Sequence, residues 1–135
     1  MAEKRDKSYW QRYYKKNKGI IERKKKIYYA ENKERILIRS KLEKWSLKKE
    51  VLTHYGNGKL ACVKCGFNDI RALTIDHISG GGNAHRRQLS TGKQGGANFY
   101  RWLRQNNYPR GYQVLCMNCQ FISQVKTLIS TLNNL

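Results

Sequence analysis

From residue 8 to residue 50 apolar side chains are scattered among Lys, Arg, Glu and Tyr, with no proline and a single glycine, Gly19. That composition favours helix, while the apolar spacing gives the helix no single face. THYGNG at 53–58 interrupts the pattern. KLACVKCGF (59–67) reads as a short strand followed by a knuckle turn, with Gly66 supplying the positive φ such turns need. LTIDHI (73–78) alternates apolar and polar positions as a strand does. Residues 79–97, SGGGNAHRRQLSTGKQGGA, read as a glycine-rich loop. NFYRWLRQNN (98–107) predicts a short helix with Phe99, Trp102 and Leu103 on one face, ended near Pro109, and GYQVLC (111–116) predicts a second strand. Beyond Asn118 the positions Phe121, Ile122, Val125, Leu128, Ile129 and Leu132 recur with helical period. This is the strongest periodic signal in the chain, and it predicts a helix packed on the core. The fold class is α+β: a helical arm over residues 1–50 and a small domain over 51–135.

The arm contains an imperfect repeat. YYKKNKGIIERKKKI (13–27) aligns with YYAENKERILIRSKL (28–42), matching Tyr13 with Tyr28, Tyr14 with Tyr29, Asn17 with Asn32, Lys18 with Lys33, Ile21 with Ile36 and Lys26 with Lys41. At about 100° per residue, a 15-residue period leaves a remainder of about 60°, so the aromatic pairs wind around the helix. Two arrangements fit that winding: an extended arm following a groove, or a solvated helix laid on the domain. Trp10, Trp45 and Trp102 read as core or helix-packing residues, and His54, at the end of the arm, as a packing or capping residue.

Charge narrows the choice of partner. The 135 residues carry 28 Lys and Arg against 9 Asp and Glu, a formal charge of +19. Residues 1–50 hold 18 bases and 7 acids, net +11, which leaves 10 and 2, net +8, for residues 51–135. Such a surface calls for a polyanion. Neutralising phosphates releases condensed counterions, so affinity should fall steeply with salt. Lys15, Lys16, Arg23, Lys24, Lys25 and Lys26 in the arm, with Arg86, Arg87, Arg101 and Arg104 in the domain, are the candidate contacts. No apolar stretch has transmembrane length, and MAEKRDKSYW lacks the apolar centre of a secretory signal. The expectation is an intracellular protein with no membrane partner.

The cysteines form two C-x-x-C pairs, Cys62/Cys65 and Cys116/Cys119. Two intervening residues let both thiolates of a pair converge on one ion, and two pairs complete a tetrahedron. Disulfides are disfavoured by the absence of a secretory signal. The pattern predicts one zinc, structural in role because four Cys ligands leave no open position. The pairs bracket a strand, loop, helix and strand. The two acids left in this part of the chain are Asp69, a turn or cap residue in GFNDI, and Asp76, which stands before His77 at a strand end.

The run YGNGKLACVKCGFNDIRALTIDHISGGGNAHRR, followed by FYRWLRQNNYPRGYQVLCMNC, resembles the HNH endonucleases of phage and intron-encoded type. The resemblance spans residues 54–120. It rests on DH at a strand end, the glycine loop with N-x-H-R, the FYRWL helix and QVLC-x-NC leading into a helix. It implies a treble-clef-like ββα-metal domain braced by zinc. Its implied roles are His77 as general base, His85 as a second catalytic residue near the scissile phosphate, and Asp76 with Gln120 as ligands of catalytic Mg²⁺ or Mn²⁺. Gln120 stands where the family usually has His or Asn, on a stem one methylene longer. An imidazole changes charge near neutral pH, as a base requires, and Mg²⁺ takes hard oxygen ligands.

Two functions follow. The first is a metal-dependent DNA endonuclease that hydrolyses phosphodiester bonds to leave 5′-phosphate and 3′-hydroxyl ends. The alternative is a silent HNH-derived nucleic-acid-binding protein, either a DNA accessory factor or a ribonucleoprotein component. The partner is duplex DNA, or RNA, bound by a monomer or homodimer in a cytoplasm, nucleoid or organelle.

Overall fold

A computed structural model describes residues 6–89 and 96–132, apart from the side chains at 83, 86, 127, 128, 131 and 132. The element order is α1 (Lys7–Tyr55), β1 (Leu73–His77), α2 (Gly82–Gln88), α3 (Gly96–Gln105), β2 (Tyr112–Cys116) and α4 (Met117–Leu132). The fold is α+β, a long N-terminal helix followed by a two-stranded antiparallel sheet with helices. Among the described residues no helix is long and apolar enough to cross a membrane.

The chain divides into two compact units, up to Leu42 and from Glu43. In the first, Asp6 caps α1: its Oδ1 accepts from the backbone N–H of Tyr9 at 2.7 Å and from Ser8 Oγ at 2.9 Å. These bonds, the one from Tyr9 foremost, hold the Asp6 carboxyl below its ordinary pKa and satisfy a donor that every helix start leaves unpaired. The 15-residue repeat reappears as repeated bonding. Asn17 Nδ2 donates to the Tyr13 carbonyl and Asn32 Nδ2 to the Tyr28 carbonyl, both at 2.9 Å. Trp10, Tyr13, Tyr14, Tyr28 and Tyr29 are exposed. Trp10 is therefore not a core residue; its ring meets Tyr9 and Tyr13 along the helix surface.

The core belongs to the second unit. Leu47, Val51 and Leu52 from α1 pack with Leu73 and Ile75 of β1, Phe99, Tyr100 and Leu103 of α3, and Val114 and Leu115 of β2, joined by Cys62 and Cys116. The sheet register sets Leu73 opposite Cys116 and His77 opposite Tyr112. The last turns of α1 are bonded in place. Glu50 accepts from Tyr108 Oη and from Arg104 Nη1, and Tyr55 Oη donates to the Pro109 carbonyl at 2.8 Å. Burial, with Tyr112 and Tyr108 adding to it, pushes the Tyr55 hydroxyl up to about 12, so it stays a donor.

Four expectations from the sequence are corrected. The segment at 59–67 forms no strand. Its backbone is committed to the knuckle, where Cys62 N–H donates to Phe67 O and Gly66 N–H to Cys62 O, and only Val63 reaches β2, through Val114 O. Gly66 does take the positive φ, at 75°. The glycine-rich stretch 79–97 is not loop throughout, because Gly82–Gln88 is helical; residues 90–95 lie outside the described residues. Trp45 is not a core residue but is exposed, with Lys48 Nζ 5.3 Å from its ring centre. It lines an open cavity of about 330 Å³ with Lys44, Lys48, Arg71 and Tyr100.

The fourth correction concerns α4. Phe121, Ile122, Val125 and Ile129 are exposed, not packed on the core, while Leu128 and Leu132 lie outside the described side chains. The cause is the tethered side of the helix. Cys119 belongs to the cysteine cluster. Ser123 Oγ donates to the Cys119 carbonyl and accepts from Lys64 Nζ. Two residues correspond to about 200° of helical rotation, so Cys119 and Ser123 each stand roughly 160° from Phe121. Turning them inward turns the apolar stripe outward.

Candidate metal centre and histidine site

The knuckle after α1 supplies Cys62 and Cys65; the end of β2 and the first turn of α4 supply Cys116 and Cys119. The four Sγ atoms lie within 4.8 Å of one another, the one such group of three or more Cys, His, Asp or Glu among the described residues. Cys65 Sγ and Cys116 Sγ are 3.7 Å apart, far beyond a disulfide bond of about 2.05 Å. Zinc–sulfur bonds of about 2.3 Å in a tetrahedron give S···S edges of about 3.8 Å. The donor set and its spacing fit a structural zinc.

Electrostatics agree with that assignment. Burial raises the Cys62 pKa, but backbone hydrogen bonds from Cys116, Cys65 and Lys64 outweigh it and bring the thiol down to about 6. Cys119 is pushed up to about 12, first by its hydrogen bonds to Cys65 and Cys116. Thiolates so close repel, and a dication removes the conflict. The Cys119 N–H adds a bond to Cys116 Sγ at 3.4 Å.

A second cluster forms at the other end of the hairpin. His77 closes β1, and His85 comes from α2. His77 Nε2 and His85 Nδ1 are 2.9 Å apart with rings at 81°, so one nitrogen donates and the other accepts. Phe99 stacks on His77 at 5.5 Å, Tyr112 meets it edge-on at 4.8 Å, and Trp102 meets His85 at 4.6 Å. Tyr112 Oη also lies 3.4 Å from His85 Nδ1. A Cβ at Gly82 would sit 3.0 Å from His77 Nδ1, so a side chain at this position would press on the ring. Asp76, half-buried, accepts from Gln113 Nε2 at 3.0 Å, its partner in the sheet register.

The residues singled out from sequence are therefore distributed as follows. The four cysteines meet, and His77 meets His85. Gln120 is half-buried in the first turn of α4, and no hydrogen bond joins it to Asp76 among the described residues. Asp69 fills the turn role, its Oδ1 accepting from the Arg71 N–H at 2.9 Å, and hydrogen bonds from the Arg71 side chain first of all hold it down at about 2. His54 packs, stacked on Tyr108 at 4.0 Å. Lys15, Lys16, Arg23, Lys24, Lys25 and Lys26 are exposed on α1. Arg87, Arg101 and Arg104 are exposed as well, with Arg101 donating to Asn98 Oδ1; the Arg86 side chain lies outside the described set. Reading by sequence missed Tyr112 and Gln113. Hairpin arithmetic could have found them, because the residues that end the first strand face those that begin the second.

Compared with models of known protein families, with characterised proteins and with solved structures, the chain matches none.

Proposed function

We propose that this chain is a zinc-braced, metal-dependent DNA endonuclease of HNH type. The observation that carries the reading is the His77–His85 pair at 2.9 Å, held at a strand end directly after Asp76. Phosphodiester hydrolysis needs a base for the attacking water. The contact with His85 Nδ1 engages His77 Nε2 and orients the ring that would take the water proton. His85 also steadies the imidazolium that forms when the water proton arrives, the role an orienting partner plays in other acid–base sites. Phe99, Trp102 and Tyr112 wall the pair and fix both rings. Asp76 and Gln120 would hold Mg²⁺ or Mn²⁺, which supplies Lewis-acid stabilisation of the departing 3′-oxygen. Arg86 and Arg87 follow His85 in the chain, where they can hold the flanking phosphates. The lysines of α1 add sequence-tolerant affinity.

A silent nucleic-acid-binding scaffold is the second reading. It is favoured by the Gln113 bond that already engages Asp76 and by the long stem of Gln120. Supercoiled plasmid with Mg²⁺ or Mn²⁺ separates the two. On the endonuclease reading the intact chain nicks or linearises the plasmid, and His77→Ala abolishes cleavage with DNA affinity nearly unchanged, because the base acts in the transition state. If neither the intact chain nor Gln120→Asn nor Gln120→His cuts, the silent reading replaces it.

A further inference from the structure

The outward face of α4 is an apolar surface that the fold leaves uncovered. Phe121, Ile122, Val125 and Ile129 are 37–66% exposed. Met117, one turn before Phe121, is 63% exposed and lines a small cavity with Phe67, itself 45% exposed. At about 100° per residue the five α4 side chains fall within an arc of roughly 140°. Scattered exposed apolar residues are ordinary, but a contiguous patch of several hundred Å² marks an interaction surface.

We infer that this face pairs with the same face of a second copy of the chain. Charge selects that occupant. The protein carries +19, so most of its surface repels another copy and would need an acidic partner. Residues 117–132 hold one ionisable basic group, Lys126, and no acid. Four residues of rotation put Lys126 about 40° beyond Ile122, at the edge of the apolar arc. The ridge itself is uncharged, so it is where two basic chains can approach with the fewest like charges facing each other. Its character also suits a two-fold axis, because an isologous interface must be its own complement, and an uncharged, uniformly apolar ridge is.

The area is sufficient. Burying the exposed parts of these six side chains removes about 500 Å² per chain, or about 1,000 Å² for the pair, which is the size at which specific interfaces begin. An interface at that lower bound forms a dimer that dissociates on dilution. The inference does not depend on the nuclease reading, since no residue of the histidine pair takes part.

Sedimentation velocity on the zinc-loaded chain tests it, at about 0.5 M salt to suppress bridging by nucleic acid and from about 1 to about 100 µM protein. The expected result is a shift from monomer to dimer across that range. Phe121→Glu with Ile129→Glu should remain monomeric throughout while keeping the circular dichroism of the parent, and Lys126→Ala, at the edge of the face, should dimerise at least as well as the parent does. A parent chain that stays monomeric at the highest concentration overturns the inference, whatever the variants do. So does a folded double-Glu variant that still dimerises. The parent's own mass decides the first criterion, so the test holds even if the double variant fails to fold.

Discussion

Helices α3 and α4 both carry an apolar stripe, and they dispose of it in opposite ways. In α3, Phe99, Tyr100 and Leu103 are buried, with Leu103 at 0% exposure. In α4, Phe121 is 66% exposed. The difference lies in what holds each helix. Buried apolar side chains draw α3 inward, so the hydrophobic effect chooses its orientation. The orientation of α4 is set by Cys119 in the cysteine cluster and by the Ser123 contact with Lys64, on the side away from the stripe. Structural zinc binding, at about 10–16 kcal/mol, matches or exceeds the burial of four or five apolar side chains at about 2 kcal/mol each, so the cluster can hold α4 with its stripe outward.

Three measurements can break or sharpen this contrast. The largest effect is expected from Cys116→Ala. If the cluster governs the unit, removing a ligand should abolish zinc binding and the cooperative thermal transition of the second unit together, and a chelator should do the same to the parent reversibly. A variant that melts like its parent would show that α4 is oriented by something else. Next, Leu103→Ala should cost about 2–5 kcal/mol, the range for emptying a closed core position. Phe121→Ala, measured by urea unfolding at low protein concentration, should stay within about 0.5 kcal/mol, as for a surface site. Equal losses at the two positions would mean that the α4 stripe is covered within the monomer. The smallest effect is expected from Tyr55→Phe, which removes the bond to the Pro109 carbonyl and should cost about 1 kcal/mol. Its readout is the urea midpoint at unchanged slope.

The same contrast explains what could be read in advance. The strand Leu73–His77 was legible from its alternation and Tyr112–Cys116 as a short run ending in consecutive apolar residues, and the metal centre because C-x-x-C pairs carry their geometry in their spacing. The existence of α4 was legible from its period, but its direction was not: periodicity gives a helix a face without saying where the face points. Cys119 and Ser123 on the opposite side held that information. Helix α2 was obscured by the glycines ahead of it, although Ala84, Arg86, Arg87 and Gln88 are good helix formers. At 59–67 the apolar run suggested a strand, but a backbone bent around two ligands cannot also form a ladder. The pairing of His77 with His85 could be expected only from resemblance, because eight residues of glycine-rich chain do not fix a distance.

The two cysteine pairs lie at either end of the segment that carries the histidine site, and this affects how the protein would respond to damage. A backbone break between β1 and β2 would leave one fragment holding Cys62 and Cys65 and another holding Cys116 and Cys119. With zinc bound, both fragments grip the same ion, and the Leu73–Cys116 ladder still pairs across the gap. Scission there would leave a two-piece protein, non-covalent in its polypeptide yet joined by metal, which separates only when the ion is withdrawn.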